Sequence, residues 1–386
     1  MIDARAMREA FVAETGERPR LFVAPGRVNL IGEHTDYNEG FVLPLAIDRA
    51  TTVAAVGDEG RRITCHSATE GRGSTIDLDR RGDPKAGHWG DYVEGMARTL
   101  DRHFEGRLTG ARLRIDGDVP VGAGLSSSAA LEVAVGLALT ALSGGRIDPS
   151  DLARLAQRSE HEWVGTRCGI MDPLVSASGR AGHAVLIDCR TLERRWVPID
   201  PAVARVVICN TRVKHTLASS GYNDRRRECE QGVTGLREHL PDIRSLRDVT
   251  AAAFERHAWT LPETVRRRCR HVITENARTR EAAEALADGE LDRVGALMRE
   301  SHRSLRDDYE VSCRELDHDV ALASAVDGVW GSRMTGGGFG GCSVHLVEPA
   351  ATEGLTHTLL EGHRRQFGIE PDVFVAVPCD GARELT

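Results

Sequence analysis

The sequence lacks the features that mark several large classes of protein. It has no apolar run near the roughly 18 residues that cross a membrane, and residues 1–10 lack the apolar core of a signal peptide. Its nine cysteines are scattered without a Cys-x-x-Cys pair, which favours free thiols in a reducing compartment over disulfides or a zinc site. These absences predict a cytoplasmic protein with no membrane partner.

An excess of positive charge is absent as well. The formal net charge is −8, and the two basic clusters at 225–227 and 266–270 lie in charge-mixed stretches of helical pattern. Such clusters are typical of solvated helix faces, so we expect no nucleic-acid partner.

The chain is long enough for two domains with cores of their own, since it has 386 residues of which 41% are hydrophobic. Residues 1–200 mix short strands with helices, whereas long polar helices dominate 201–386. We therefore place a domain boundary near residue 200 and expect ligands in the cleft between the two parts.

The most informative segment is the glycine- and serine-rich stretch at 120–130, which follows a predicted strand at 112–116. A helix is predicted over 129–142, with Ser127 or Ser128 as its capping residue. A helix N-terminus presents unpaired N–H groups and the positive end of the helix dipole, and glycines let the backbone approach a ligand.

The stretch at 120–130 is thus typical of a phosphate cradle with a hydroxyl to spare for a metal ion. A turn that only caps a core helix is the alternative. No Lys-Ser/Thr follows the last glycine, as a Walker motif requires, and glycines at 122 and 124 alone do not make a dinucleotide fingerprint.

A second segment, 26–38, concentrates polar side chains between two predicted strands. Glu33 and Asp36 are acceptors when ionised, His34 can donate or accept, and Arg27 is a permanent cation. Two carboxylates and a histidine within four residues suit a sugar, whose hydroxyls need directional partners. A metal site and a charged turn without function are the alternatives.

Two further carboxylates stand out. Asp172 precedes Pro173, a pattern that predicts a helix start with Asp172 as the N-cap and Pro173 at the first helical position. A carboxylate held there could also serve catalysis. Glu160 falls at the end of the predicted helix 150–160, where a lone charge usually faces water.

Three separated motifs match one family. The chain resembles the GHMP sugar and metabolite kinases and, within them, the galactokinase family. Segment 26–38 is similar to the galactokinase signature, 120–130 to the phosphate-binding motif of the superfamily, and 335–341 to its third, glycine-rich motif. Shorter matches at 168–172, 186–190, 217–222 and 312–317 extend the resemblance over roughly residues 20–380.

The resemblance implies an α+β, two-domain GHMP-kinase fold: a mixed-sheet N-terminal domain, a helix-rich C-terminal domain with an antiparallel sheet, and an active site in the cleft. It implies ATP-dependent phosphorylation of the anomeric hydroxyl of α-D-galactose, the first committed step of galactose catabolism. ATP, Mg²⁺ and galactose are the expected ligands, and a monomer is expected.

The resemblance also assigns roles to residues. Asp172 would be the catalytic base and Arg27 its electrostatic partner. The residues that would hold the sugar are Glu33, His34, Thr35, Asp36, Gly169 and Tyr222. The residues that would hold the ATP phosphates are Gly122, Ala123, Gly124, Leu125, Ser126, Ser127 and Ser128. Ser67, Trp89 and Tyr92 would touch the nucleoside, and Ser128, rather than Ser126 or Ser127, would ligate magnesium together with Glu160.

Pro173 departs from the family pattern, which commonly has glutamine there; proline suits the first turn of a helix, so we expect little change at Asp172.

Two other functions stay open at this point. One is a GHMP kinase for another sugar, such as N-acetylgalactosamine. The other is a non-catalytic sensor of galactose and ATP, which should lack part of the catalytic set.

Overall fold

The computed structural model describes residues 3–82, 84, 87–214 and 218–385, without the side chains of 214 and 218–220. Leu217, in the matched segment 217–222, lies outside these residues. The strands are β1 Arg20–Asn29, β2 Phe41–Val42, β3 Pro44–Asp58, β4 Arg62–Ser67, β5 Arg72–Asp77, β6 Gly110–Gly117, β7 His183–Asp188, β8 Arg194–Pro198, β9 Arg205–Lys214, β10 Val329–Thr335, β11 Gly340–Val347, β12 Asp372–Ala376 and β13 Arg383–Leu385.

The helices are α1 Ala4–Thr15, α2 Gly90–His103, α3 Ser127–Leu142, α4 Pro149–Ser159, α5 Met171–Ser178, α6 Ala218–Leu236, α7 Ala251–His257, α8 Glu263–Ala287, α9 Leu291–Asp307, α10 Arg314–Ser324 and α11 Thr352–Phe367. In the part of the chain that the structure describes, no helix is long and apolar enough to cross a bilayer.

A six-stranded sheet in the order β13-β1-β3-β6-β4-β5 forms the N-terminal layer. Its β4–β6 pair is parallel and its other pairs are antiparallel, so the sheet is mixed. Helices α2, α3 and α4 bury their apolar faces with it in one core cluster. Because α3 also contacts β1 and β3, its N-terminus is fixed relative to the polar end of β1.

A four-stranded antiparallel sheet in the order β10-β11-β9-β12 lies in the second half of the chain, among α8 to α11. A three-stranded antiparallel sheet, β2-β7-β8, completes the strands of the described residues. Helix α8 is central to the site because its buried side chains contact the loop that follows β1: Gly32 N–H donates to Glu275 at 3.0 Å and Phe41 N–H donates to Asn276 at 2.9 Å.

The strand and helix predictions around the glycine- and serine-rich stretch are confirmed, but the capping prediction is wrong. Helix α3 begins at Ser127, and the capping position is Ser126, which makes no side-chain capping bond. Ser126 has a φ of 63°, in the left-handed region, whereas a capping residue usually has the extended conformation from which its side chain accepts from the helix N–H groups. Tertiary contacts of the preceding loop override the usual capping preference.

The expectation that Asp172 caps its helix is also wrong. Helix α5 begins at Met171 with Ile170 in the capping position, so Asp172 and Pro173 lie inside the first turn. Proline is tolerated there because the first N–H groups of a helix have no intrahelical acceptor. The Asp172 side chain is therefore free to face another element.

Candidate functional site

A cavity of about 220 Å³ brings the two polar segments of the sequence together. Its lining includes Arg27, Glu33, His34, Asp36, Gly122, Gly124, Ser126, Ser127, Ser128, Glu160, Gly169, Asp172 and Tyr222, together with Gly336 and Gly337 of the third motif. Four carboxylates from three different segments thus face one small space, which suits a ligand that carries many hydroxyls.

Arg27 and Asp172 form a two-pronged ion pair at the edge of the cavity. The Arg27 Nε–H and Nη2–H donate to the two Asp172 carboxylate oxygens at 2.7 and 2.8 Å. The Arg27 side chain is 4% exposed and that of Asp172 is 27% exposed. Although burial opposes its charged form, the negative charges of Asp172 and Glu33 raise the pKa of Arg27. Arg27 is thus a fixed cation, and Asp172 is a carboxylate that a ligand can reach.

The backbone around Arg27 explains its orientation. The register between β1 and β3 shifts between Pro25 and Arg27, an irregularity of the kind that turns side chains toward a site. The Arg27 N–H donates to Leu125 O at 3.1 Å, and its Nη1–H donates to Gly124 O at 2.6 Å. Arg27 therefore contacts three parts of the site: its own strand β1, Asp172, and the glycine- and serine-rich stretch at 120–130, which we call the phosphate loop.

Asp36 lies against the backbone of Gly169. A Cβ atom on Gly169 would lie 1.7 Å from Asp36 Oδ2, so only glycine fits there. Asp36 accepts from the Tyr37 N–H at 2.9 Å. Burial, and then the nearby charge of Asp172, raises the pKa of Asp36 to about 7. Asp36 is thus a half-buried acceptor whose ionised form is disfavoured by its surroundings.

Glu33 is held by the third glycine motif. Its Oε1 accepts from Gly336 N–H at 2.6 Å, and its Oε2 accepts from Asn29 Nδ2–H at 2.6 Å. The fully buried Arg333 guanidinium lies 3.5 Å from Oε1. The Thr335 hydroxyl also lies 3.0 Å from Oε1, so Oε1 is fully engaged. Oε2, which accepts from Asn29, keeps one of its two acceptor sites for a hydroxyl of a ligand.

The phosphate loop requires its glycines. Gly122 and Gly124 have φ values of 71° and 76°, and a Cβ atom on Gly336 would lie 2.7 Å from Gly124 O. The turn at 335–341 therefore packs directly against the loop at 120–130. The N-terminus of α3 follows at once, so its free N–H groups border the cavity.

Glu160 lies beside the hydroxyl of Ser128, as a shared metal site requires. It occupies a π-helical turn, Glu160–Val164, and is 8% exposed, so its charge does not face water as a lone charge on a helix usually does. Its carboxylate lies near the Cys168 thiol and the Ser128 hydroxyl, and burial raises its pKa to about 7. A buried carboxylate without a cation partner fits a bound cation.

Glu132 is a site residue that sequence reasoning missed. It lies one turn after Ser128 on α3, is 1% exposed, and its Oε1 has no hydrogen-bond partner in the described structure. Burial, and then the charge of Glu160, raises its pKa well above the usual value. The only signal in the sequence was a charged residue inside an otherwise apolar helix.

A second cavity, of about 290 Å³, adjoins the first and shares Gly122, Ser127 and Ser128 with it. It is lined by Ser67, Trp89 and Tyr92, the residues expected at the nucleoside. The phosphate loop thus separates a polar cavity from one that offers an aromatic ring and apolar side chains. This arrangement suits two ligands that meet at the loop.

Three expected site residues line neither cavity. The Thr35 hydroxyl donates within its own loop, toward Gly32 O and Phe41 O, and the residue is fully buried. Ala123 and Leu125 are buried as well, although the Leu125 carbonyl accepts from Arg27. Their side chains support the loops that carry the site.

Among the described residues, no group of three or more His, Cys, Asp or Glu side chains is arranged to hold a metal ion. This finding contradicts the alternative in which Glu33, His34 and Asp36 form a metal site. It leaves open a cation that takes two protein oxygens and completes its shell with phosphate and water, as Mg²⁺ does.

Comparisons with known proteins show the family of the chain. Residues 9–56 match the galactokinase galactose-binding signature, residues 91–180 the N-terminal domain of GHMP kinases and residues 282–356 their C-terminal domain. A galactokinase of Roseiflexus is 46% identical over 99% of this chain and 97% of its own. A galactokinase of Chloroflexus aggregans is 48% identical over the full length of both chains.

Solved structures show the same similarity. Lactococcus lactis galactokinase complexed with galactose superposes with a TM-score of 0.94 at 34% identity, over 99% of both chains. Methanococcus jannaschii mevalonate kinase superposes with a TM-score of 0.68 at 16% identity, over 95% of this chain and 100% of its own. The second likeness concerns the fold alone, and together they confirm the expected two-domain α+β architecture.

Proposed function

Because the chain belongs to the galactokinase family within the GHMP kinases, it is an ATP-dependent sugar kinase, and we propose that its two joined cavities hold galactose and ATP. The enzyme transfers the γ-phosphoryl group of ATP to the anomeric hydroxyl of α-D-galactose, giving galactose 1-phosphate and ADP. One observation supports the assignment of roles. Asp172 is accessible and bound to Arg27, and it lies in the cavity lined by both the phosphate loop and segment 26–38, which we call the sugar loop.

In this proposal Asp172 accepts the proton of the sugar hydroxyl as the new P–O bond forms. Arg27 fixes both Asp172 oxygens, so the carboxylate is oriented before the sugar arrives. Because Arg27 is cationic, it also offsets negative charge that builds up on the transferred group. Glu33, His34, Asp36, Gly169 and Tyr222 would hold the sugar, with Thr35 supporting their loop.

The phosphate loop and α3 would hold the ATP phosphates. The N–H groups at the start of α3 and the positive end of its dipole favour anionic oxygens beside Ser127 and Ser128. Ser67, Trp89 and Tyr92 would face the nucleoside in the adjoining cavity. All four residues of the proposed catalytic set, Arg27, Ser128, Glu160 and Asp172, line the first cavity, which argues against a non-catalytic sensor.

Ser128 and Glu160 fit Mg²⁺, because they supply a hydroxyl and a carboxylate side by side in a buried, acidic environment. Such an ion would supply positive charge that neutralises the phosphate oxygens of ATP. The protein's part is to hold these two oxygens at the cavity edge and to keep water out.

We expect Ser128→Ala to raise the free Mg²⁺ concentration for half-maximal activity by at least roughly tenfold, as loss of a metal-site group commonly does. Glu160→Gln should have the same effect, since it removes the charged oxygen. Activity measured against free Mg²⁺ at fixed ATP tests this, with Mn²⁺ binding followed by proton relaxation. Ser126→Ala and Ser127→Ala are the controls, and an equal rise in either would overturn the choice of Ser128.

The pH dependence of galactose binding should follow Asp36. Its pKa of about 7 means that it is half protonated near neutrality, whereas a sugar hydroxyl donates best to the ionised form. Lowering the pH therefore removes the binding form, and the KM for galactose at pH 6 should be about ten times that at pH 8. Steady-state kinetics between pH 6 and pH 8 measure the KM for galactose. In the Asp36→Asn variant this KM should no longer depend on pH. A KM that stays flat in the wild type would contradict it.

A coupled ADP-release assay with galactose, N-acetylgalactosamine, mevalonate and homoserine tests the substrate. Galactose should give the highest kcat/KM, and no turnover with galactose would refute the proposal.

We further propose that the enzyme works as a cytoplasmic monomer with its domain boundary near residue 200. All nine cysteines are free in the structure, as a reducing compartment favours, and sedimentation velocity tests the monomer.

A further inference from the structure

Three of the four tyrosines of the chain surround one histidine of the sugar loop. The His34 ring centroid lies 5.8 Å from that of Tyr37, 5.5 Å from that of Tyr222 and 4.7 Å from that of Tyr309. His34 is 4% exposed and its φ is 63°, a left-handed conformation that is uncommon outside glycine. A strained backbone and an aromatic enclosure together hold this ring at the cavity wall.

The hydrogen bonds of His34 define which of its nitrogens carries the proton. Its Nε2 lies 3.2 Å from the carbonyl oxygen of Gly337, which can only accept, so Nε2 bears the hydrogen. Burial lowers the pKa of His34 well below its usual value, so the ring is neutral and Nδ1 is a bare acceptor. The hydroxyl of Tyr37, 2.8 Å away, must therefore donate to Nδ1.

The same reasoning gives a direction to the next two hydrogen bonds. Since the Tyr37 hydroxyl donates to His34, its oxygen accepts from the Tyr309 hydroxyl at 2.7 Å. The Tyr309 oxygen in turn accepts from the Cys229 thiol at 3.2 Å. Every hydrogen in this chain is used once and every bond points toward His34. In a buried site such a chain strengthens each of its bonds by polarising the next.

We propose that Tyr37 and Tyr309 are positioning residues that hold His34 in the Nε2–H form and aim this donor at the sugar. The proposal rests on the proposed function, in that the cavity is the galactose site. His34 and Gly337 both line that cavity, so a sugar oxygen can reach the Nε2–H and share it with the Gly337 carbonyl, whose contact is long at 3.2 Å. Glu33 and Asp36 supply acceptors nearby, so His34 adds the opposite polarity and selects a hydroxyl that accepts.

The Tyr309 hydroxyl is hydrogen-bonded to the Tyr37 hydroxyl and acts on His34 through it. The Tyr309 ring, in contrast, packs directly on the rings of His34 and His271. Phenylalanine at 309 keeps those ring contacts and removes the hydroxyl. The effect of Tyr309→Phe therefore reports on the hydrogen-bond chain and not on packing.

The kinetic test compares Tyr37→Phe and Tyr309→Phe with the wild type. Tyr37→Phe should raise the KM for galactose about tenfold, since a hydrogen bond to a positioning group is lost. Tyr309→Phe should raise it about threefold, because it only weakens the Tyr37 bond. The KM for ATP should stay unchanged in both. A parallel change in both KM values, or no change in that for galactose, would overturn the proposal.

A matched control removes a buried hydroxyl from another buried histidine. Ser332 Oγ lies 2.9 Å from Nδ1 of His345, and neither residue lines a cavity of the site. Ser332→Ala should lower the free energy of unfolding and leave both KM values as in the wild type. Unfolding of all three variants by denaturant separates loss of stability from loss of positioning.

A spectroscopic test does not depend on the substrate. In ¹⁵N-histidine-labelled protein, with the His34 signals assigned by their loss in His34→Gln, we expect the proton on Nε2. Tyr37→Phe should shift the Nδ1 resonance toward that of a free imine nitrogen, and Tyr309→Phe should shift it the same way by less. A proton on Nδ1 in the wild type, or an unmoved Nδ1 resonance in Tyr37→Phe, would refute the chain even if galactose is the substrate. Conversely, the same signals are expected even if galactose proves not to be the substrate.

Discussion

Asp172→Asn is expected to lower kcat by about 10²- to 10⁴-fold, the range in which a positioned proton acceptor contributes. Asparagine has nearly the shape of aspartate and keeps one oxygen for the Arg27 guanidinium, so the cavity should retain its form. It cannot accept the sugar proton. Galactose binding measured by calorimetry should therefore survive while single-turnover phosphoryl transfer falls.

Asp188→Asn is the matched control, because Asp188 forms a similar two-pronged pair with Arg247 and lines neither cavity. That change should reduce stability and leave kcat close to the wild-type value. If Asp172→Asn turned over near the wild-type rate, Asp172 would not be the base. If galactose binding were lost as well, Asp172 would mainly bind the sugar.

Gly169→Ala is expected to raise the KM for galactose by about a hundredfold, as a displacement of about 1 Å at a reacting centre can. The added Cβ atom would lie 1.7 Å from Asp36 Oδ2, and Asp36 cannot retreat easily because its carboxylate accepts from the Tyr37 N–H. The Asp36 carboxylate must move out of its position against the cavity wall. Sugar kinetics at saturating ATP measure the effect.

Gly57→Ala is the control for the loss of a glycine. Its φ lies outside the left-handed region and nothing lies within 4 Å of an added Cβ atom, so the substitution fits the strand. It should leave the KM for galactose unchanged. A normal KM in Gly169→Ala would show that Asp36 does not need its place beside Gly169.

Local sequence patterns predicted the elements of the site well and its helix starts poorly. The glycines of 120–130 and the helix after them are as expected, since backbone conformation there depends on residues close in sequence. The capping of α3 and α5 was wrong for a tertiary reason. Arg27 binds the Leu125 and Gly124 carbonyls, and Asp172 faces Arg27 rather than its own helix N–H groups.

Burial of the acidic residues was also beyond the sequence. The pattern around Glu160 fits a solvent-facing charge as well as the metal ligand that the family resemblance implies, and the structure buries it near Ser128. The sequence showed Glu132 as a charge in an apolar helix but did not indicate that it would lie near Glu160. A carboxylate on a helix looks alike in sequence whether it faces solvent or a cation site. The packing of α3 against α4, whose last residue precedes Glu160, distinguishes these cases.

The sequence by itself determined the three loops of this galactokinase-family enzyme, their glycines and the residue types that its chemistry needs. The tertiary structure alone decided which of them meet. Arg27 and Asp172 are 145 residues apart in the chain, and Glu33 and Gly336 are 303 apart, yet each pair is in hydrogen-bond contact. Such pairings depend on how sheets and helices pack, because burial of their apolar faces fixes the backbone positions from which these polar side chains reach each other.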